Sequence, residues 1–325
     1  MGAGRKSARY FYACKSWRSH RQHGYLLFCW QGPVLLRLWL LRVLRGRQGK
    51  MKLTTLIENT AINKEYKPQH GLSIYIETQN HKILVDVGAD GTFLDNAKKL
   101  GIDISAVDTL IITHGHSDHG GGLAYFLDAN KKAKVYIQSE AFGNHRAKVL
   151  GGIIKANISL DQKLKDNPQI VFVDGDMRVD DELFIITNPK GQKFQPTFNK
   201  FLLREQDGKF DRDTFDHEQS VLIIENGKTV LIGGCAHHGI LNILEDAEKK
   251  HGTVDICISG FHLYNPIPPF KSTEREEVLA GLAVELGKRK TKFYSGHCTG
   301  IKAFKYLQGN MKNLEYFATG QIIEV

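Results

Sequence analysis

The stretch Thr113-His114-Gly115-His116-Ser117-Asp118-His119-Gly120-Gly121-Gly122 puts three imidazoles and a carboxylate within six residues. It follows Thr109-Leu110-Ile111-Ile112, a β-branched apolar run that reads as a buried strand, and precedes Leu123-Ala124-Tyr125-Phe126-Leu127, which reads as the start of a helix. A loop between strand and helix is a rigidly held place for ligands. Imidazole and carboxylate suit divalent zinc or iron and, less well, manganese. In an extended segment, residues two apart point the same way, so His114 and His116 can grip one ion. Asp118 continues on that face and His119 points across it. Four adjacent side chains crowd one tetrahedral ion, and two neighbouring ions suit them better. In the plain alternative Ser117 or Asp118 only caps the helix, which leaves three histidines unexplained.

His-x-His-x-Asp-His after a strand, followed by Gly-Gly, resembles the metallo-β-lactamase superfamily. The resemblance implies an α/β fold, a four-layer αββα sandwich, over residues 51–325. It also implies two divalent metal ions, zinc first, with manganese or iron as alternatives. Asp86 ends the apolar run 82–87, where a carboxylate is commonly a cap or turn residue. The resemblance gives it a further role, orienting the metal loop without itself binding metal.

Outward from the loop, residues 53–60, 72–77, 82–88 and 135–137 read as strands and 92–100 as a helix. The strongest hairpin signal is Asn226-Gly227 between runs 220–225 and 228–233. It ends in Gly234-Cys235-Ala236-His237-His238-Gly239, before a helix over 240–251. The order of strand, ligand-bearing tip and helix is thereby repeated, as two related halves facing one site require. Where many superfamily members carry a bridging Asp, this sequence has Cys235, either a thiolate ligand or an inert buried thiol. His237 is the preferred imidazole of its pair. Run 254–259 leads to His262, a candidate substrate contact or catalytic acid, or a core-edge residue bonded to backbone. A helix is expected over 272–290, and then Lys292–Ser295 leads to Gly296-His297-Cys298-Thr299-Gly300. His297 matches the last metal ligand of the superfamily, while Cys298 and Thr299 read as loop packing and a helix cap. Residues 139–216 are less regular. Ser139–Phe142 reads as the start of a helix carrying His145, Arg146 and Lys148. The whole segment reads as an insertion that roofs a pocket, with His145 and His217 as surface or hydrogen-bonded histidines.

Glu58-Asn59-Thr60, taken with the metal loop, Gly234–His237, Gly260-Phe261-His262-Leu263 and Gly296–Gly300, narrows the resemblance. It is similar to the branch containing the archaeal dihydropterin-ribofuranosylaminobenzene-phosphate synthase of methanopterin biosynthesis and its bacterial relatives. The resemblance implies a metal-dependent hydrolase or group-transfer enzyme that turns a metal-activated water on a small substrate, phosphorylated or not. Its pterin form is the condensation of a dihydropterin diphosphate with an aminobenzene ribofuranosyl phosphate. Asp118 is then a metal ligand and, where free of metal, the proton acceptor. Two other classes compete: an iron-dependent oxidoreductase on the same ligands, and a non-catalytic ligand-sensing protein.

The formal charge of +9 is misleading. Residues 1–50 carry 11 of the 44 Lys and Arg and none of the 35 Asp and Glu, so the remainder has 33 basic against 35 acidic residues. A near-neutral body gives no reason to expect nucleic acid or an anionic membrane as partner. The apolar patches at 25–30 and 34–41 are too short to span a bilayer, so a small-molecule substrate is expected, without stable membrane insertion; oligomeric state is left open. Residues 1–50 read first as an upstream extension from a misassigned start, then as a mitochondrial-type targeting segment or a basic amphipathic surface helix. Five cysteines without framework spacing favour a reducing, cytoplasmic setting, or mitochondrial if the targeting reading holds.

Overall fold

The computed structural model describes residues 50–267 and 271–325. The readings made for residues 1–49 lie outside the described residues. The first sheet contains β1 (Lys52–Ile57), β2 (Ser73–Glu77), β3 (Lys82–Val85), β4 (Thr109–Ile111) and β5 (Lys134–Gln138). A smaller four-stranded sheet contains β6 (His145–Val149), β7 (Ile154–Asn157), β11 (Leu202–Gln206) and β12 (Lys209–Arg212). Between its two halves the chain returns to the main body as β8 (Ile170–Val173), β9 (Met177–Arg178) and β10 (Leu183–Thr187). The second large sheet adds β13 (Gln219–Glu225), β14 (Lys228–Ile232), β15 (Ile256–Ile258), β18 (Lys292–Ser295) and β19 (Leu314–Tyr316). A short pair, β16 (Tyr264–Asn265) with β17 (Ser272–Thr273), and the final β20 (Ile322–Glu324) complete the strands. The large sheets run β20-β1-β2-β3-β4-β5-β8 and β19-β18-β15-β14-β13-β10-β9. Each has an antiparallel part and a parallel part, the parallel pairs running from β3 to β8 and from β14 to β19.

Side-chain alternation makes the layers. In β14, Val230 and Ile232 face the first sheet and Leu231 faces away. The inner layer joins Ile74, Ile83, Val85 and Ile111 to Val221, Ile223, Val230 and Ile258. On the outer face of the first sheet, Leu84, Leu110 and Val135 pack against Phe93 of α1 (Thr92–Lys99) and Phe126 of α3 (Leu123–Ala129). The one-turn α2 (Ser117–Gly120) belongs to the histidine-bearing loop after β4. On the other outer face, Leu222, Leu231 and Phe293 meet α4 (Ile240–His251), α5 (Glu276–Gly287) and α6 (Ile301–Asn310) through Leu244, Leu282 and Leu307. The result is a four-layer αββα sandwich. Strands covered on both faces read as continuous apolar runs, which is why β4 lacks alternation.

Three local expectations change. Ser139–Phe142 is a single 3-10 turn, and the chain then enters β6 rather than a helix. Gly143 takes an extended conformation (ψ 172°), and from there His145 and Ala147 turn inward while Arg146 and Lys148 are more open, a period of two. The helix expected over 272–290 is confined to Glu276–Gly287, because residues 272–273 pair as β17. The first strand ends at Ile57 rather than 60 because the Glu58 carboxylate accepts bonds from Thr60 N and Oγ1 at 2.6 and 2.7 Å, folding a turn.

The strand ends that matter for chemistry share a conformational feature. Asp86, Ala236, His262 and His297 follow β3, β14, β15 and β18 with φ of 57°, 54°, 49° and 47°. Left-handed backbone is uncommon for residues other than glycine and concentrates at functional sites.

Candidate metal centre

The histidines at these tips are held by a repeated device. Asn199 donates from Nδ2 to the carbonyl of His237 at 2.7 Å, while its Oδ1 lies 3.0 Å from His237 Nδ1. Asn59 grips His297 in the same two-point way, at 3.2 and 3.1 Å. A buried carboxylate anchors each loop from behind. Glu58 accepts from His297 N at 2.7 Å, and Glu218 accepts from His237 N at 2.6 Å. On the first half, Asp86 accepts from Thr113 N, Thr113 Oγ1 and His119 Nδ1 at 2.7, 2.7 and 2.6 Å. Thr113 Oγ1 has spent its proton on Asp86, so it accepts from His114 Nδ1 at 3.0 Å. In four histidines, therefore, Nδ1–H is donated to an oxygen and the Nε2 lone pair is left for the centre, which is how protein shells set the tautomer of metal-binding imidazoles.

The remaining nitrogens gather in two groups. Ligating atoms of His114, His116 and His237 lie within 4.8 Å of one another, and Nε2 of each is buried without a hydrogen-bond partner. Burial, followed by neighbouring imidazoles, holds all three well below the usual histidine pKa, so they are neutral donors. Three unsatisfied buried nitrogens would be costly without a cation to accept their lone pairs. In the second group His119 Nε2 and His297 Nε2 are 3.1 Å apart, and Asp118 Oδ2 is 3.3 Å from the latter and 3.8 Å from the former. Ligand atoms about 2.0–2.1 Å from one tetrahedral zinc are separated by roughly 3.3 Å. Burial alone would lower the His119 pKa, but the carboxylates of Asp118 and Asp86 outweigh it and raise it to about 9. The field that holds a proton there is the field that attracts a metal cation. Cys235 Sγ lies 3.2 Å from His119 Nε2, between the groups. The neutral imidazoles, carboxylate and thiol present are donor types that fit divalent metal ions.

The two halves meet closely. A Cβ on Gly234 would sit 2.2 Å from Thr113 Oγ1 and 3.0 Å from His114 Nδ1, so only glycine lets the tip of β14 approach the metal loop. Beside the centre is a cavity of about 230 Å³. Ala147, Ile158, Phe198, Phe201, Leu202 and Ile267 give it an apolar lining, and His262 and Tyr264 line it as well. His262 Nδ1 is buried without a partner, and its ring centroid is 4.4 Å from that of His237. Among the described residues no lysine or arginine lines the cavity.

The model of the metallo-β-lactamase superfamily matches residues 66–251 of the chain. The chain belongs to that superfamily. It is 26% identical over 300 residues to the 7,8-dihydropterin-6-methyl-4-(β-D-ribofuranosyl)-aminobenzene-5′-phosphate synthase of Methanocaldococcus jannaschii, covering 86% of this chain and 98% of the relative. An uncharacterised protein of the same organism is 26% identical over 275 residues, covering 83% and 98%. Among solved structures, Tm1679, described as a metal-dependent hydrolase of the β-lactamase superfamily, superposes with a TM-score of 0.71 at 24% identity. It covers 85% of this chain and 99% of its own.

Within this superfamily frame, the structure brings His114, His116, Asp118, His119, Cys235, His237, His262 and His297 to one place, with Asp86 behind the loop. His238 turns instead to Glu218 Oε2, at 2.7 Å. Sequence reasoning missed His70, whose Nε2 is 3.4 Å from Asp118 Oδ2. It also missed the anchoring roles of Asn59, Glu58, Asn199 and Glu218. The repeated pairing of Asn with Glu is a signal only once the folded loops are in view.

His145 and His217 are fully buried rather than superficial, and both hydrogen-bond Asp213 Oδ2, at 3.0 and 3.1 Å. His217 Nδ1 accepts from Gly115 N at 3.0 Å, tying this cluster to the backbone between His114 and His116. Burial would raise the Asp213 pKa, but the bonds from His145 and His217 outweigh it and hold the carboxyl far below its usual range. A carboxylate depressed in the folded state contributes stability above its unfolded pKa and loses it as the pH falls below that value. Asp213→Asn is therefore expected to melt lower at neutral pH, with the difference narrowing below about pH 4, the unfolded value. Melting curves across that range check this; a constant offset down to the lowest pH would contradict it.

Proposed function

We propose that the chain is a metal-dependent hydrolase or group-transfer enzyme, acting at a two-ion centre on a small substrate with an aromatic or apolar part. The observation that carries this reading is the set of orphaned Nε2 atoms on His114, His116 and His237 beside the Asp118, His119 and His297 group. Bound divalent ions, zinc by preference, would supply Lewis acidity and bring the pKa of a water towards neutrality. The chain's own residues do the rest. Phe198, Phe201 and Leu202 hold the apolar part of the substrate and exclude water. Asp118 ligates with His119 and His297, and where not committed to metal it accepts a proton. Burial would raise its pKa, but His119, followed by His297, keeps it ionised. His262, with Nδ1 unengaged at the cavity wall, is the residue placed to face the leaving group as the candidate catalytic acid.

The synthase-named relative supports a finer form, the joining of a dihydropterin diphosphate to an aminobenzene ribofuranosyl phosphate. Flat rings suit the phenylalanine-lined wall. With no cationic side chain lining the cavity, a diphosphate would rely on the ions for its charge. An iron-dependent oxidoreductase is the second reading, favoured by the sulfur of Cys235 within 3.2 Å of His119 Nε2. No described helix is long and apolar enough to cross a membrane.

The test is turnover by the zinc-loaded chain on aryl phosphodiesters, aryl esters and pterin diphosphates. Hydrolysis or condensation abolished by chelation and restored by zinc is expected. Turnover restored only by iron, with a redox product, would overturn the reading. Phe201→Ala is expected to raise KM on the order of 10-fold at unchanged metal content, since one pocket contact is worth a few kcal/mol at most. A fall in kcat alone would place Phe201 outside the binding wall.

A further inference from the structure

Cys235 and Cys298 lie on different strand tips, yet both are buried and both line the catalytic cavity. Their sulfurs and a nitrogen of His297 form a group whose ligating atoms are all within 4.8 Å of one another. The third described cysteine behaves differently. Cys257 is buried in the core with Leu222, Leu231 and Phe293 and does not line this cavity.

The surroundings of Cys298 suit a sulfur with electron density to give. His262 N donates to its Sγ at 3.3 Å. As a donor, its thiol reaches the carbonyl of Cys235 at 3.7 Å, the long end of the range for sulfur. Room has been made for it as well, because a Cβ on Gly260 would stand 2.4 Å from that Sγ. Cys235 is the hub: it shares one group with His114 and His119, another with His237 and His262, and a further one with His297 and Cys298.

Resting on the metal-centre reading above, we infer that Cys298 is a sulfur ligand, so that the His297 side of the centre is a Cys235–Cys298–His297 site for a thiolate-accepting divalent ion. The site would take zinc, cobalt, cadmium or iron(II) and discriminate against magnesium and manganese, which prefer oxygen donors. Each cysteine loses its proton to solvent when it binds, and no oxidant is required.

Cobalt(II) added to the metal-free full chain tests this, because thiolate–cobalt charge transfer absorbs in the near ultraviolet whether or not the protein turns over. The unmutated protein is expected to show an intense band. Cys298→Ser is expected to lose roughly half of it, one of two thiolate donors, and Cys257→Ser none of it. The complementary variant, Cys235→Ser, keeps the part due to Cys298 and so decides the matter even if Cys298→Ser does not fold. A full-strength band in Cys298→Ser, or no residual band in Cys235→Ser, would overturn the assignment. Visible cobalt bands without charge transfer would leave the metal centre standing and remove its sulfur. No cobalt bound at all would overturn both.

Discussion

Replacing His116 by alanine is expected to abolish tight metal binding and, with it, turnover. The ring of His116 lies 4.6 Å from that of His114 and 5.0 Å from that of His237, centroid to centroid, and its Nε2 is one of the three orphaned donors. Losing an outer partner of a metal ligand costs about 10–100-fold in affinity, and loss of a ligand itself exceeds that. Thermal shift gives the cleanest measure, because an ion at free concentration c that binds only the folded state stabilises it by RT ln(1 + c/Kd), a term that vanishes when the site is lost. Zinc should raise the melting temperature of the unmutated protein and leave that of His116→Ala nearly unmoved. Equal zinc-induced shifts in the two proteins would show that His116 holds no metal.

Asp86 is expected to matter for two separable reasons. Its carboxylate, with no exposure, satisfies Thr113 N, Thr113 Oγ1 and His119 Nδ1 together, from a left-handed backbone position. Asp86→Ala leaves these donors buried and unpaired, at a cost on the order of 3–5 kcal/mol, and is expected to lower the melting temperature steeply. Asp86→Asn keeps the shape. Its amide can still accept from Thr113 but cannot reproduce the charge beside His119, so the fold should survive while zinc affinity falls about 10–100-fold. Metal affinity unchanged in Asp86→Asn would reduce Asp86 to a strand-end cap.

The parts of the protein legible in the sequence are those whose cause is local. Three histidines and an aspartate at the end of an apolar run need no distant information to suggest a metal. The Asn226-Gly227 turn is specified by two residues that tolerate the left-handed backbone, at φ 52° and 74°. Helix α4 is expected and found over the same residues, Ile240–His251. What stays hidden depends on approach across the chain. Asn199 clamps a histidine 38 positions away, and Asp213 is bonded to His145 across 68 positions. Nothing near either residue in sequence marks it. The segment from 139 to 216 is opaque for a further reason. Its strands are short, are broken by 3-10 turns, and pass from one sheet to another, so no single periodicity persists. The cavity wall at Phe198 and Phe201 comes from such a turn.

Four of the non-glycine residues in left-handed backbone stand at the strand ends around the candidate centre. Asp86, Ala236, His262 and His297 hold unfavourable backbone angles at four strand ends, and buried carboxylates or amides over-determine the metal-loop and His297 tips. Preorganisation of that kind costs stability and fixes ligand geometry before any ion arrives.

Metal content by mass spectrometry on the full-length chain, purified without chelator, tests the central claim most directly. The account predicts close to two divalent ions per chain, zinc foremost, and a clear fall in His116→Ala. A folded, unmutated protein that carries no metal and takes up none from solution would contradict it.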